Sequence, residues 1–169
     1  MTNVFLIAVI TAVMAVSVNA QTGRAPSFSR YPVAVEKARV RTIDFKKNPD
    51  ARSFRTRLNE GLKGGVNFAG HYTLVGWGCG TGCISGAIID ARKGNVIWPE
   101  QLNAIGVWYG GDEYADEPVA YKKNSRLLVI SGSPGVANGA AEKPQGLYYY
   151  EWKNERLRLV KFVKKDAGE

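Results

Sequence analysis

The first hydrophobic segment is an uncharged run at residues 4–18, in which only Thr11 and Ser17 are polar. A helix needs about 20 apolar residues to cross a bilayer, so this run of 15 residues is short for a permanent anchor. It is followed by Val18-Asn19-Ala20, a small-x-small pattern that a signal peptidase can cut. We therefore predict a signal peptide at residues 1–20, cleaved after Ala20.

The next two segments contain no helical periodicity. Residues 21–37 place Pro26 and Pro32 among serine, arginine and glycine, which favours an extended leader. Residues 38–45 alternate loosely between apolar and polar side chains, and in a strand Arg39 and Arg41 would face outward. Such a pattern predicts an edge strand.

One segment does have helical periodicity. Its apolar residues recur at spacings of three and four: Ala51, Phe54, Leu58 and Leu62. They share one helical face. Asn48 is placed to cap the helix and Pro49 to occupy its first position, while Gly64-Gly65 end it as a left-handed cap. The pattern predicts a helix over residues 49–63 that lies across a sheet.

Beyond the helix, short apolar runs alternate with turn residues. The predicted strands are 71–77, 84–90, 96–98, 119–122, 126–131, 146–152 and 157–164. Most neighbouring runs are separated by hairpin-length turns, which indicates an antiparallel meander of about seven or eight strands, counting the edge strand. Two longer connections, 99–117 and 132–145, interrupt it and are typical of functional loops.

These elements predict a single, mainly β domain over residues 38–169 with one N-terminal helix. Blades of about 45 residues would give the chain only three, too few to close a propeller ring of at least four. A two-sheet sandwich and an open propeller-like stack remain as the expected architectures.

The charge is strongly basic and uneven. The chain has 23 basic and 15 acidic side chains, and residues 21–65 alone carry a net charge of +7. Such a surface attracts anions. Because an exported protein rarely meets nucleic acid, we expect an envelope protein or an anionic cell-wall component as partner. A solvated basic face without a partner is the alternative.

Cys79 and Cys83 are the two cysteines of the chain, and they flank Gly80-Thr81-Gly82. In an exported protein a single cysteine pair predicts a disulfide. The alternative is a thiolate nucleophile with His71 as its base, or a hydrolase or transferase that combines His71 with an acidic loop. One histidine and two cysteines do not complete a zinc site, so we predict no metal and no cofactor.

A polar cluster is expected at the start of the first hairpin. His71 is the single histidine of the chain, and Asn67 and Tyr72 lie next to it in sequence. The hairpin folds near Gly80, so it brings Asp90 opposite this segment. Asn67, His71, Tyr72 and Asp90 are therefore a candidate polar site, although a lone histidine is more often structural.

A second candidate is a surface that combines aromatic and acidic side chains. Its residues are Trp108, Tyr109, Asp112, Glu113, Tyr114, Asp116 and Glu117. Carboxylates at this density can bind a hard cation or act as an acid/base pair. Their spacing differs from that of a calcium loop, so a solvated loop is the alternative.

Part of the chain resembles a group of small exported bacterial proteins of unknown function. The resemblance rests on residues 54–58 (FRTRL), 67–72 (NFAGHY), 77–83 (WGCGTGC) and 87–90 (AIID). It carries no activity with it. The C-terminal hairpins are similar in architecture to periplasmic lysozyme inhibitors of β-rich fold, whose loops plug an enzyme cleft.

Together these features predict a periplasmic or secreted, non-catalytic binding or inhibitor-type module, with no membrane span once the signal peptide is removed. The catalytic alternative uses His71 with Cys79 or Cys83, or with the acidic loop 112–117. The sequence specifies neither the oligomeric state nor the partner's identity.

Overall fold

The computed structural model describes residues 24–37, 42–107, 117–135 and 143–165. The signal peptide predicted at residues 1–20 lies outside the described residues. Within the described ranges, no helix is long and apolar enough to cross a membrane.

The described residues form eight strands, so the predicted mainly β, antiparallel fold is confirmed. The strands are β1 Tyr72–Gly80, β2 Cys83–Asp90, β3 Val96–Ile97, β4 Ile105–Val107, β5 Val119–Tyr121, β6 Leu127–Ser133, β7 Gly146–Lys153 and β8 Arg156–Lys164. Each of the seven runs predicted after the helix contains a strand.

One strand lies elsewhere than predicted. β4 falls in the predicted connection 99–117, whereas residues 42–45, the described part of the predicted edge strand, form none. Ile43 is 5% exposed and belongs to the same buried cluster as Leu58 of the helix. The edge-strand prediction is therefore wrong for these residues, because Ile43 packs beneath the helix instead of joining the sheet.

All eight strands belong to one antiparallel sheet. Its order is β1-β2-β4-β6-β7-β8, with β3 paired to β2 and β5 paired to β6. The sheet is open, because β1 and β8 end this order without pairing to each other. The described strands thus form one continuous open sheet and not two separate sheets.

The sheet curls strongly about its inner face. Strands β1 and β7 stand four places apart, which is about 19 Å in a flat sheet. The rings of Tyr72 and Trp152 nevertheless meet edge to face, with centroids 5.2 Å apart. Both halves of the sheet therefore contribute to one inner core, whose buried residues include Leu74, Ile88, Ile105, Leu128, Ile130, Tyr148 and Tyr150.

The N-terminal segments cover the outer faces. The helix buries Leu58 in a cluster with Val75 of β1, and the leader packs Phe28 against a cluster that contains Tyr149 of β7. The described part of the leader, 24–37, has no regular structure apart from a 3₁₀ turn at Phe28–Arg30 and one bridge residue. Through Phe28 and Tyr31 it packs on the outer face of the sheet and shields the buried residues there from solvent.

The predicted helix over residues 49–63 is confirmed in extent. It starts as a 3₁₀ turn, Pro49–Phe54, and continues as α1, Arg55–Lys63. The predicted cap is wrong: Asn48 Oδ1 accepts the backbone N–H of Val96 at 2.9 Å, so it makes no capping bond. Gly65 has a φ of +75° and supplies the left-handed residue after the helix. A further 3₁₀ turn is Glu100–Leu102.

Candidate functional site

The predicted disulfide joins Cys79 to Cys83 at the tip of the β1–β2 hairpin. Their Cα atoms are 5.1 Å apart, which suits a disulfide. Gly82 turns the chain with a φ of +65°, a conformation that glycine adopts without steric cost. The bond occupies both sulfurs, so no thiolate is left for the predicted cysteine nucleophile.

The hairpin register also separates His71 from the sulfurs. Tyr72 pairs with Asp90 at one end of the hairpin, and Gly80 pairs with Cys83 at the other. His71 and Cys79 are therefore about 26 Å apart along the strand, at about 3.3 Å per residue.

Three of the four predicted polar-site residues come together. The ring of His71 lies 4.1 Å from that of Tyr72, centroid to centroid, and Tyr72 pairs with Asp90 across the hairpin. Asp90 is buried, and its Oδ1 accepts the backbone N–H of Arg92 at 2.8 Å and of Lys93 at 3.3 Å. Its carboxylate therefore holds the β2–β3 turn.

The Asn67 side chain does not join them, although the Asn67 backbone N–H donates to the C=O of Tyr72 at 3.1 Å. Its side-chain oxygen accepts the N–H of Leu74 at 2.7 Å, and its amide group donates to the C=O of Leu74 at 2.9 Å. The amide thus takes the place of a neighbouring strand beside β1.

The sequence did not identify two further members of this cluster. Arg92 donates through both Nε and Nη2 to the carboxylate of Glu36, and His71 Nδ1 lies 3.7 Å from Glu36 Oε1. The backbone N–H of Glu36 is held by the C=O of Gly70 at 2.8 Å. A leader residue is thereby fixed beside the first hairpin, a long-range contact for which no sequence pattern gives a signal.

Burial and the neighbouring charges shift the pKa values of Glu36 and His71. The Arg92 guanidinium lowers the pKa of Glu36. Burial and then Arg92 lower the pKa of His71, although Asp90 and Glu36 act in the opposite direction. The imidazole is therefore mainly neutral near pH 7.

We call the surrounding cavity the His71 pocket. It has a volume of about 440 Å³. Its walls comprise Val33, Glu36, Ala69, His71, Tyr72, Arg92, Arg126, Glu151, Trp152, Lys153, Asn154 and Glu155.

A larger cavity of about 890 Å³ lies between β1 and residues 117–124, and we call it the edge cleft. Its β1 side consists of Val66, Asn67, Leu74, Gly76, Trp77, Gly78 and Ile84, and its opposite side of Glu117, Pro118, Val119, Tyr121, Lys122, Lys123 and Asn124. Burial raises the pKa of Tyr121, and the nearby carboxylate of Glu117 raises it further. The buried lining residues Leu74 and Trp77 give the cleft an apolar interior, whereas the exposed Glu117, Lys122 and Lys123 give it a polar rim.

The β1 side of the edge cleft presents backbone groups. Leu74 directs its N–H and C=O away from β2, because both bond the Asn67 side chain. Backbone groups alternate between the two sides of an antiparallel strand, so Gly76 and Gly78 direct theirs the same way. Phe68 bridges this edge at Tyr72, and the Asn67 side chain occupies it at Leu74. β1 ends the strand order, and beyond Leu74 no described strand pairs with this edge.

Glycine at these two positions is not required by the backbone. Neither residue has a positive φ. A Cβ would meet nothing within 4 Å at Gly78, and only atoms at 3.8 Å or more at Gly76. Glycine within a strand often marks a close approach by another backbone, and here its missing side chains keep the cleft open along the edge.

The opposite side of the cleft also contains a strand edge. The N–H of Ser131 in β6 donates to the C=O of Pro118 at 2.9 Å. By the same alternation, Val119 and Tyr121 of β5 direct their backbone groups away from β6. Two strand edges therefore border one cavity.

Of the seven residues of the predicted aromatic and acidic surface, the structure describes only Glu117. Glu117 is exposed and belongs to the rim of the edge cleft. The other members lie outside the described residues: Trp108, Tyr109, Asp112, Glu113, Tyr114 and Asp116. In the ranges that are described, no group of three or more His, Cys, Asp or Glu side chains could hold a metal ion.

Comparisons of the chain with protein-family models, with curated proteins and with solved structures find no match. Functional inference therefore depends on the two cavities themselves.

Proposed function

We propose that this chain is an exported, non-catalytic binding module that receives an extended, acidic segment of a partner protein in the edge cleft. The observation that carries the proposal is the pair Gly76 and Gly78, whose backbone groups face the cleft on the unpaired edge of β1.

The backbone pattern favours a polypeptide over a glycan or a lipid. Gly76 and Gly78 offer N–H and C=O groups that repeat every second residue, about 6.8 Å apart. An extended peptide has the matching repeat, and strand addition to an exposed sheet edge is a recurrent recognition mode. The apolar interior between Leu74 and Val119 then accepts alternate side chains of the added strand.

The charge of the rim favours an acidic segment. Lys122 and Lys123 are exposed on the side opposite β1, and Glu117 offsets one of their charges. The chain as a whole carries a net charge of +8, which attracts acidic partners over a longer range.

The proposal places the protein in the periplasm or outside the cell. The signal-peptide pattern at residues 1–20 and the Cys79–Cys83 disulfide support this location, because disulfides persist in oxidising compartments. An envelope protein is then the expected partner. If the module acts as an inhibitor, the expected partner is an enzyme that degrades the cell wall.

The catalytic alternative has less support. His71 lies in the His71 pocket, Glu117 lies in the edge cleft, and both sulfurs are bonded to each other. No described group joins His71 as an activated nucleophile.

The experiment is an NMR titration of the ¹⁵N-labelled protein with two heptapeptides that alternate valine with either glutamate or lysine. We expect the acidic peptide to shift the amide signals of Gly76 and Gly78 saturably, because new backbone hydrogen bonds form there. The basic peptide should bind at least about tenfold more weakly, since Lys122 and Lys123 repel it.

Matched variants make the test specific. Gly78→Val adds a side chain whose Cβ meets nothing within 4 Å, and it should weaken the acidic peptide about tenfold, whereas Thr81→Val at the exposed turn should not. Lys123→Glu should weaken it more than Lys47→Glu, which lies outside the cleft. Unchanged signals at Gly76 and Gly78, or shifts there with a soluble peptidoglycan fragment in place of the peptide, would overturn the proposal.

A further inference from the structure

The last strand, β8, exposes two adjacent apolar side chains at an edge of the sheet. Leu159 is 56% exposed and Val160 is 43% exposed. β8 ends the strand order, and no other described strand pairs with its outer side. The other large apolar side chains that the described residues expose, Val35 and Trp98, lie on separate segments. We call Leu159 and Val160 the apolar pair.

The apolar pair lies at a bulge. Tyr149 and Tyr150 of β7 pair with Lys161 and Leu159, so Val160 is an extra residue in β8. In a regular strand, two consecutive side chains point to opposite faces, whereas a bulge bends the strand and changes the direction of a side chain. The bulge therefore interrupts the alternation exactly where the two exposed apolar residues follow each other.

Cations surround the apolar pair. Arg158 and Lys161 flank it directly in sequence, and Arg158 is exposed. Residues 153–165 contain six basic side chains and one acidic side chain, a net charge of +5. The basic residues are Lys153, Arg156, Arg158, Lys161, Lys164 and Lys165. This edge of the sheet therefore attracts an anionic surface.

Protection of an edge strand explains only part of this pattern. Lysines and bulges are common means of keeping an exposed edge from pairing with another chain. Exposed aliphatic side chains on an edge strand have the opposite effect, because they favour association. The apolar pair therefore points to a neighbour that accepts apolar side chains and cations side by side.

The charges disfavour a second copy of this chain as that neighbour. If two β8 strands paired antiparallel about the apolar pair, the cations at positions 158 and 161 would lie opposite each other. Like charges that are directly opposed across a strand pair are destabilising. The bulge would also interrupt the hydrogen bonds of such a pair.

An anionic bilayer matches both parts of the surface. Its charged headgroups attract nearby lysine and arginine side chains, and the boundary beneath them accepts apolar side chains to a depth of about 5–10 Å. Neighbouring strands are only about 4.8 Å apart. A bilayer that meets the sheet edge-on therefore contacts side chains from both faces of β8.

We propose that the β8 edge is a docking surface for an anionic phospholipid bilayer. Leu159 and Val160 enter the headgroup region, and the surrounding cations contact lipid phosphates. The attachment is reversible, because two aliphatic side chains bury far less apolar surface than a membrane-spanning helix. β8 contributes no residue to the edge cleft, so this proposal and the peptide-binding proposal are tested separately.

The test is cosedimentation of the protein, recovered from the exported fraction, with vesicles of equal parts phosphatidylglycerol and phosphatidylcholine. Pure phosphatidylcholine vesicles are the neutral control and should bind at least about tenfold more weakly. Raising sodium chloride from about 0.05 M to about 0.5 M should release most of the bound protein, because salt screens the attraction. Inorganic phosphate at the same ionic strength should release no more than chloride does, which distinguishes a bilayer from a site for free phosphate.

Two pairs of variants assign the binding to β8. Leu159→Ser/Val160→Ser removes the apolar pair without changing a charge, and should weaken binding to the anionic vesicles about tenfold. Val35→Ser, a change at an exposed valine of the leader, should leave binding unaltered. Arg158→Glu should weaken binding about tenfold, whereas Arg57→Glu, the same charge change at an exposed position of α1, should have an effect of about twofold or less.

Circular dichroism verifies that each variant is folded, and the Arg158→Glu and Arg57→Glu comparison decides if the double variant is not. Equal binding to neutral and anionic vesicles would overturn the proposal. So would unchanged binding in folded Leu159→Ser/Val160→Ser, or equal losses in Arg158→Glu and Arg57→Glu. A dimer in solution that the double variant abolishes would also overturn it, because the apolar pair would then belong to a contact between two copies of the chain.

Discussion

His71 occupies a position in which burial and a neighbouring cation act together on one titratable group. Its side chain is 15% exposed, and it lies beside the Arg92–Glu36 ion pair. Burial and Arg92 lower its pKa, so the folded protein holds the imidazole neutral more strongly than the unfolded chain does. The residue therefore couples protonation to folding.

We expect this coupling to appear as a pH-dependent stability. With the folded pKa below the unfolded value of about 6.5, the unfolded state binds the proton first as pH falls. The contribution of His71 is fully present above about pH 6.5 and is lost as pH falls through the folded pKa. Urea denaturation at pH 7.5, 6.5 and 5.5 measures it.

The single histidine of the chain makes the control simple. His71→Gln should flatten the dependence of the unfolding free energy between pH 7.5 and 5.5. An NMR titration of the wild type that gives a His71 pKa above 6.5 would contradict the account.

The sequence could predict only some of the residues that meet in the polar cluster around His71. His71, Tyr72 and Asp90 could be grouped because a hairpin that folds near Gly80 determines their register. The Asn67 side chain bonds the β1 backbone at Leu74, and only the Asn67 backbone N–H contacts Tyr72. Glu36 is 56 residues from its partner Arg92, and no local pattern encodes such a contact.

At the scale of elements, the disulfide constrains the tip of the β1–β2 hairpin and contributes little to the stability of the core. Cys79 is exposed and the bridge closes a short loop, with a sequence separation of 4. Closing a loop of this length restricts the unfolded chain by only about 2 kcal/mol. The sheet should therefore survive the loss of the bridge.

Replacing both cysteines with serine tests this reasoning. We expect the Cys79→Ser/Cys83→Ser variant to unfold cooperatively, with an unfolding free energy about 2 kcal/mol below that of the oxidised protein. Wild-type protein kept in reductant is the matched control and should lose a similar amount. Loss of the β-sheet circular dichroism spectrum in either sample would refute the view of the bridge as a local constraint.

The strands were predictable because alternation is a local signal, and two failures show its limit. β4 has only three residues, Ile105–Val107, too few to show an alternating pattern. Residues 42–45 do alternate, yet Ile43 uses its apolar side chain to pack under the helix. Alternation reports that a face is buried, and it does not report whether the neighbour is a strand or a helix.

At the scale of the whole molecule, the short strand β4 determines the architecture. It pairs with β2 through Ile105 and Gly106 and with β6 through Gly106 and Val107, and so joins two hairpin-based halves into one curled sheet. The sequence predicted the strands of both halves but not the junction between them, because a single sheet and a two-sheet sandwich share the same strand pattern. The edge cleft forms between β1 and residues 117–124, which are distant in sequence. No motif within one stretch of the sequence therefore predicts it.

The edge of β1 at Gly76 and Gly78 is where the partner segment is proposed to bind, and amide hydrogen exchange measures that edge directly. In the free protein, Val75 and Trp77 donate toward β2 and should exchange on the order of a hundredfold more slowly than Gly76 and Gly78. Saturating acidic heptapeptide should slow Gly76 and Gly78 to a similar degree. Equal protection of all four amides before any peptide is added would contradict the account.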